Sequence, residues 1–395
     1  MNPFKTYFIG GFECADHINR SGERVNLHKE TQHDIRVMED YQLLSNMGIH
    51  VVREGICWSS VESIPNVYDF SEVYRRMEAA EKYGIQQIWD LIHFGYPDDL
   101  YPTHPKFCER FVRLCREFAR FYLIHSKQQL FVVPINEISF LSWHSGDVRG
   151  TVPFAVNSGW DIKYHLCKAA ILGIQALKES DPTCRIILVE PLVEIHANGN
   201  VEENHLVTLN QHQFQAMDII AGRMCPELGG KEAYLDILGF NYYWNSQWAA
   251  FGESLDWPDL QQLRMPLRHM LTAAYFRYKK PFFLSETGHI GCGRVDWLEE
   301  VTAECIALQE FGLPFLGICI YPVTDRPSWD DLTSFSHCGI YDLDEQGNRI
   351  PEYEVIASIK KLQNIVFPMV VEIQAFSQES DSRYVSKNYK ETITQ

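Results

Sequence analysis

Two short apolar runs in this chain each lead into a glutamate. Residues Pro281 to Gly288 read PFFLSETG and carry Glu286, and Phe131 to Ser139 read FVVPINEIS and carry Glu137. Runs this short, rich in aromatic and β-branched residues, predict buried strands at Pro281 to Leu284 and Leu130 to Pro134, with each glutamate just past a strand end. A pair of carboxyl groups delivered in this way into a shared cleft suits acid and base work on a sugar acetal. One protonates the leaving oxygen, and the other attacks as nucleophile or activates water on the opposite face. A separation of about 5 to 5.5 Å implies retention of configuration, and about 6.5 to 9.5 Å implies inversion. One glutamate after a strand is most often a salt-bridge or loop residue. Two in matching contexts, with Arg53 and Tyr243 at neighbouring strand ends, favour chemistry. The arginine and the tyrosine hydroxyl would keep a nucleophile ionised, while the charge of that nucleophile would keep the second carboxyl protonated.

The elements that must position these groups alternate regularly. Strands are predicted at Tyr7 to Gly11, Ile49 to Val52, Ile85 to Leu91, Leu130 to Pro134, Arg185 to Val189, Leu235 to Phe240, Pro281 to Leu284 and Phe315 to Ile320. Between and after them, helical patterns cover residues 30–47, 70–83, 105–125, 162–178, 200–224, 260–278, 296–311 and 351–362. Eight strands alternating with eight helices predict a single-domain α/β fold, the (β/α)8 TIM barrel. A doubly wound open sheet is the rival, but GGFECADH after the first strand lacks the glycine spacing of a phosphate loop. In a barrel, polar residues at the C-terminal strand ends converge on one mouth. Arg53, His93, Asn136, Glu137, Asn241, Tyr243 and Glu286 occupy such ends. The catalytic barrel is expected over residues 1–373, with 374–395 as a polar, aperiodic tail.

Composition narrows the partners. The 395 residues include 52 acidic and 35 basic ones, a net charge of −17, and no cationic run, which disfavours nucleic acid. Eleven cysteines without a CxxC pair fit a reducing compartment better than a disulfide framework or structural zinc. The opening MNPFKTYFIGGFECADH is unlike a secretory signal, and no apolar run reaches 18 residues, so a soluble, cytoplasmic protein with no membrane span is expected. His17, His93 and Glu13 carry metal-ligating groups, but their spread over several loops reads as hydrogen bonding. Oligomeric state is left open.

The motifs carry a resemblance. INE and SETG are similar to the NE and TENG signatures of clan A retaining glycoside hydrolases, and the order of segments resembles glycoside hydrolase family 1, the β-glucosidase and β-galactosidase family. GGFECADHIN, VVREGICW, DLIHFGYPDDL, GFNYYW and GICIYPVTDRPSWDD resemble successive segments of that family, so the likeness covers nearly the whole barrel. It implies that Glu137 is the acid/base and Glu286 the nucleophile. Asn136 would bond the sugar 2-hydroxyl, Arg53 and Tyr243 would hold Glu286, and His93 would contact the glycone. The substrate would be a small carbohydrate, with no metal or organic cofactor.

The sugar-naming positions depart from the family. Its glycone-binding glutamine falls at His17, its platform tryptophan at Tyr321 and its glycone-binding glutamate at Ser328, while Trp329 keeps its aromatic type. The expectation is a retaining β-glycosidase divergent in its glycone pocket. A transglycosylase would use the same intermediate with another acceptor. A non-catalytic sugar-binding barrel is the third possibility, and it has no need of two unlike carboxyl groups.

Overall fold

The computed structural model describes residues 2–198 and 202–366. Eight parallel strands close into a barrel: β1 (Phe8–Gly11), β2 (Val51–Gly55), β3 (Gln86–Asp90), β4 (Phe131–Val133), β5 (Arg185–Pro191), β6 (Ile237–Asn241), β7 (Phe282–Thr287) and β8 (Phe315–Ile320). Each pairs with its neighbours in sequence, and β1 closes the ring on β8 with Phe8 opposite Ile318. That pairing excludes the open sheet. The predicted (β/α)8 barrel is the observed fold.

The period-2 alternation of strands sorts side chains into two cores. Ile9, Val51, Ile88, Ile187, Ile237 and Phe283 fill the barrel interior, and Phe4 plugs its lower end with its ring 5.1 Å edge-on to Phe283. Their sequence neighbours Phe8, Val52, Trp89, Ile186, Leu238 and Leu284 face the helical layer. The helices bury matching stripes. In Phe107–His125 the buried residues Phe107, Phe111, Leu114, Cys115, Phe118 and Tyr122 recur at spacings of three and four. This helix packs on Gly159–Ser180 at Gly173, where a Cβ would stand 2.7 Å from the Phe111 ring.

Several boundaries differ from the sequence reading. Strands two and seven run on to Gly55 and Thr287, so Arg53 and Glu286 lie within strands and not beyond them. Strand pairing continues through these charged residues because their side chains are neutralised inside the barrel. The stretch 200–224 divides into Glu203–Gln211, the 3-10 turn His212–Phe214 and Gln215–Ile220. A helix not anticipated, Ile138–Gly146, begins directly after Glu137. Two small sheets were also missed: Glu194–His196 with Gln247–Ala249, and Tyr341–Leu343 with Arg349–Pro351. The last helix runs over 353–366, and the predicted tail 374–395 lies outside the described residues. No helix among the described residues is long and apolar enough to cross a membrane.

A buried polar chain ties the last small sheet to β2. Arg349 grips Asp40 through Nε at 2.6 Å and Nη2 at 2.7 Å. Asp40 meets His33 Nδ1 at 2.7 Å, and His33 Nε2 meets Glu54, the neighbour of Arg53, at 2.9 Å. Burial alone would raise the Asp40 pKa, yet Arg349 and His33 hold it below the ordinary range. Burial would likewise lower His33, and Glu54 and Asp40 overcome this to raise it. A depressed carboxyl stabilises above its unfolded pKa of about 3.9, and this contribution fades as pH falls through the folded value. A raised histidine stabilises below about 6.5, and its contribution fades as pH rises through the folded value. The chain therefore contributes most between about pH 4 and 6.5. Replacing Arg349 by Met leaves the buried Asp40 with His33 alone, and should lower unfolding free energy by about 3–5 kcal/mol in urea titrations. A loss below about 1 kcal/mol would contradict this role.

Candidate active site

The mouth of the barrel is organised around one buried arginine. Val51 and Arg53 alternate onto the inner face of β2, so the strand that supplies the core also supplies the cation. Its guanidinium donates to Asp90 through Nε (3.1 Å) and Nη2 (2.6 Å), to Glu286 Oε1 (2.7 Å), to the Ser285 carbonyl (3.0 Å) and to Asn136 Oδ1 (2.7 Å). Arg53 is 1% exposed. A charge buried this deeply persists only when paired and fully hydrogen-bonded, and here it is both.

Glu286 reaches that position through an irregularity in β7. Phe240 and Asn241 of β6 face Leu284 and Glu286, and Ile318 and Ile320 of β8 face Leu284 and Thr287, so β7 carries an extra residue against both neighbours. Such a bulge breaks the alternation and re-aims side chains. Both Ser285 and Glu286 consequently engage the interior network. The Ser285 hydroxyl donates to Asn241 Oδ1 at 2.6 Å, and Tyr243 donates to Glu286 Oε2 at 2.8 Å. Burial, then the charge of Glu286, raises the Tyr243 hydroxyl well above its ordinary pKa, so it stays a donor. Both oxygens of Glu286 thus serve as acceptors.

Glu137 is placed differently. It follows β4 by four residues, with a left-handed backbone at φ 46°, and its N–H donates to the Val189 carbonyl at 3.0 Å. This conformation costs a non-glycine residue about 1–3 kcal/mol and is typical of functional positions. The helix Ile138–Gly146 starts at once, and Glu190 of β5 accepts the Ser139 N–H at 3.1 Å. Burial raises Glu190 to about 7. Glu137 Oε1 accepts from Asn241 Nδ2 at 2.8 Å. Burial and the adjacent Glu286 charge raise the Glu137 pKa well above the carboxylate range, and the Asn241 bond opposes them. The two glutamates therefore differ in their partners: Glu286 accepts from a cation and a hydroxyl, while Glu137 accepts from a neutral amide and has its pKa raised.

His93 completes this inner ring. Its Nδ1 meets Asp90 at 2.9 Å, while Nε2 faces Asn136 Nδ2 at 3.4 Å, Tyr321 Oη at 3.3 Å and Glu13 Oε1 at 3.5 Å. Burial would lower its pKa, but Asp90 and Glu13 raise it. Tyr321 is only 3% exposed and lies parallel to His93, with ring centroids 5.9 Å apart. It is a floor under the site. Trp329, partly exposed, meets the rings of His17, Phe94, Phe140 and His144 at the rim.

Every sequence-predicted site residue, Arg53, His93, Asn136, Glu137, Asn241, Tyr243, Glu286, His17, Tyr321 and Trp329, falls in this connected region. The sequence reading missed Asp90, which lies two residues after inward-facing Ile88 and was legible by alternation. Ser285 was not legible, because the bulge leaves no sequence mark. Glu13 was weighed only as a metal ligand. It instead accepts the N–H groups of Cys14 (3.1 Å) and Ala15 (3.2 Å) and faces Arg326 Nε at 3.2 Å.

Solved structures share this barrel architecture. The β-glucosidase from Thermotoga maritima in complex with glucoimidazole superposes with a TM-score of 0.72 at 15% identity, over 93% of this chain and 99% of that one. The family 1 β-glucosidase from the same organism gives 0.70 at 15%, over 92% and 98%. The AHE enzyme from Alicyclobacillus herbarius gives 0.71 at 17%, over 84% and 87%. The likeness is one of fold. No protein-family model matches the chain, and no curated protein does.

Removal of the Asn241 amide tests the electrostatics of this site. Asn241→Ala deletes the one hydrogen bond that lowers Glu137, so the Glu137 carboxyl should titrate at higher pH in 13C NMR than it does in the parent protein. A downward shift would contradict the assignment.

Proposed function

We propose that the protein is a retaining β-glycosidase that cleaves a small glycoside by double displacement. The observation that carries this reading is the unlike bonding of two glutamates at one mouth: Glu286 accepts from Arg53 and Tyr243, whereas Glu137 accepts from the neutral Asn241 amide, and burial and the Glu286 charge raise its pKa. Glu286 attacks the anomeric carbon, and Glu137 passes its proton to the leaving oxygen. Once the glycosyl group is on Glu286, that negative charge is gone and the Glu137 pKa falls. Glu137 is then the base that takes a proton from the incoming water. Asp90 acts through Arg53, fixing the guanidinium fork that orients Glu286.

The sign of the pH dependence follows. Cleavage needs Glu137 protonated, so activity on a poor leaving group falls as pH rises through its elevated pKa.

A panel of 2-deoxy-2-fluoro-β-glycosyl fluorides read by intact mass and peptide mapping tests the nucleophile. An adduct on Glu286 is expected, and an adduct on another residue, or none from any sugar with the fold intact, overturns the reading. Glu137→Gln should lower kcat/KM on an alkyl glycoside about 10²–10⁴-fold, and less on an aryl glycoside whose leaving group needs no proton. Equal losses on both would deny Glu137 the acid role.

A further inference from the structure

Behind the mouth lies a further buried carboxyl group, Glu190. It stands on β5, where Ile187 and Val189 point into the barrel and Leu188 faces the helical layer, so alternation puts Glu190 on the outer side. It is 3% exposed. A carboxyl group is costly to bury, and its partners show what holds it there. Both of its oxygens accept from the Ser139 N–H, at 3.1 and 3.3 Å, and the Ile138 N–H also favours its ionised form. These N–H groups open the helix Ile138–Gly146, whose N-cap residue is Glu137. The residue before Glu190 grips the same turn, since the Val189 carbonyl accepts the Glu137 N–H at 3.0 Å.

An N-cap side chain ordinarily accepts from the second or third N–H of its own helix. Ser139 is the second residue of this helix, so Glu190 makes the bond that Glu137 would otherwise make. Glu137 forms no such cap, and its Oε1 is bonded to Asn241 Nδ2 at 2.8 Å in the mouth. Capping its own helix would impair an acid twice over. It would turn the carboxyl away from the leaving oxygen, and the helix N-terminus would stabilise the ionised form. Glu190 satisfies that helix end from outside the barrel.

The charge of Glu190 works in the same direction. Burial raises it to about 7, and once ionised it disfavours a second negative charge on Glu137. Lys163 and Cys167 face it from the helix Gly159–Ser180, and Lys163 donates to Gln215 Oε1 at 2.9 Å. In the segment 212–220, His212 faces Lys163, and Asp218 is bonded to Arg277 and Tyr278. On the capped helix His144 lies against the rings of Phe140 and Trp329. From inside the barrel Glu286 and Arg53 face Glu137.

We propose that Glu190 is a positioning residue that caps the helix after Glu137 in place of Glu137 itself, and so keeps the Glu137 carboxyl in the mouth for the leaving oxygen. The role of that carboxyl rests on the glycosidase reading above, and the cap does not.

Two variants test it. Glu190→Gln keeps an acceptor for the Ser139 N–H and removes the charge, and Glu190→Ala removes both. Followed by 13C NMR, Glu137 should titrate at lower pH in Glu190→Gln than in wild type, and lower still in Glu190→Ala, where it is free to cap its own helix. Glu190→Ala should also lose at least about 10-fold more kcat/KM on an alkyl glycoside than on an aryl glycoside whose leaving group needs no proton. The basic limb of its pH profile should move to lower pH. Equal losses on both substrates with an unmoved profile reduce Glu190 to a structural cap and overturn the inference, leaving the glycosidase reading standing. If wild type cleaves no glycoside, that reading fails and the titration decides alone. The graded downward shift then sustains the cap, and an unmoved or raised Glu137 midpoint overturns it. A Glu190→Ala chain that does not fold leaves the decision to Glu190→Gln, whose midpoint must still move down.

Discussion

The interaction on which the rest of this structure depends is the burial of the Arg53 guanidinium inside a barrel. A cation there is tolerable only if every N–H has a partner, and four groups from three strands or strand ends supply them: Asp90, Asn136, the Ser285 carbonyl and Glu286. The consequence runs outward. Asp90 is held in place and in turn orients His93, Asn136 is fixed beside Glu137, and Glu286 is fixed as an acceptor. One side chain thus coordinates the ends of β2, β3, β4 and β7. A lysine could not do this, because a point charge lacks the fork that reaches all of them.

Asymmetry between the two glutamates follows from this wiring. Glu286 has the arginine, and Glu137 has only a neutral amide. Glu137 is buried without a directly bonded cation, and burial and then the charge on Glu286 raise its pKa. Two residues of the same type are given unlike surroundings by their partners, the arrangement that the proposed general acid and nucleophile roles require.

Much of this was legible from residue order. The strand periods gave the barrel, and polar residues at strand ends gave its mouth, because a buried strand must show apolar residues on both faces until it reaches the site. Asp90 could have been found by counting from Ile88. The bulge at Ser285 and Glu286 could not, since it is a register difference between β7 and both its neighbours, and pairing partners are not written in a single strand. The left-handed backbone at Glu137 was equally hidden, as glutamate gives no signal for positive φ. At Tyr321 the resemblance implied an aromatic platform, and the structure has a buried floor bonded to the Phe12 carbonyl at 3.2 Å. Arg326 was overlooked because it looks like an ordinary surface charge until the fold brings it to Glu13, which was itself weighed only as a metal ligand.

The measurement that bears most directly on this account is the titration of Glu137, read by carboxyl 13C NMR in wild type and in Glu286→Gln. The substitution removes a negative charge and keeps the shape of the side chain. Glu137 should then titrate at lower pH than in the wild type. An unchanged or higher midpoint would mean that the two carboxyl groups do not govern one another, and the division of roles between them would fall.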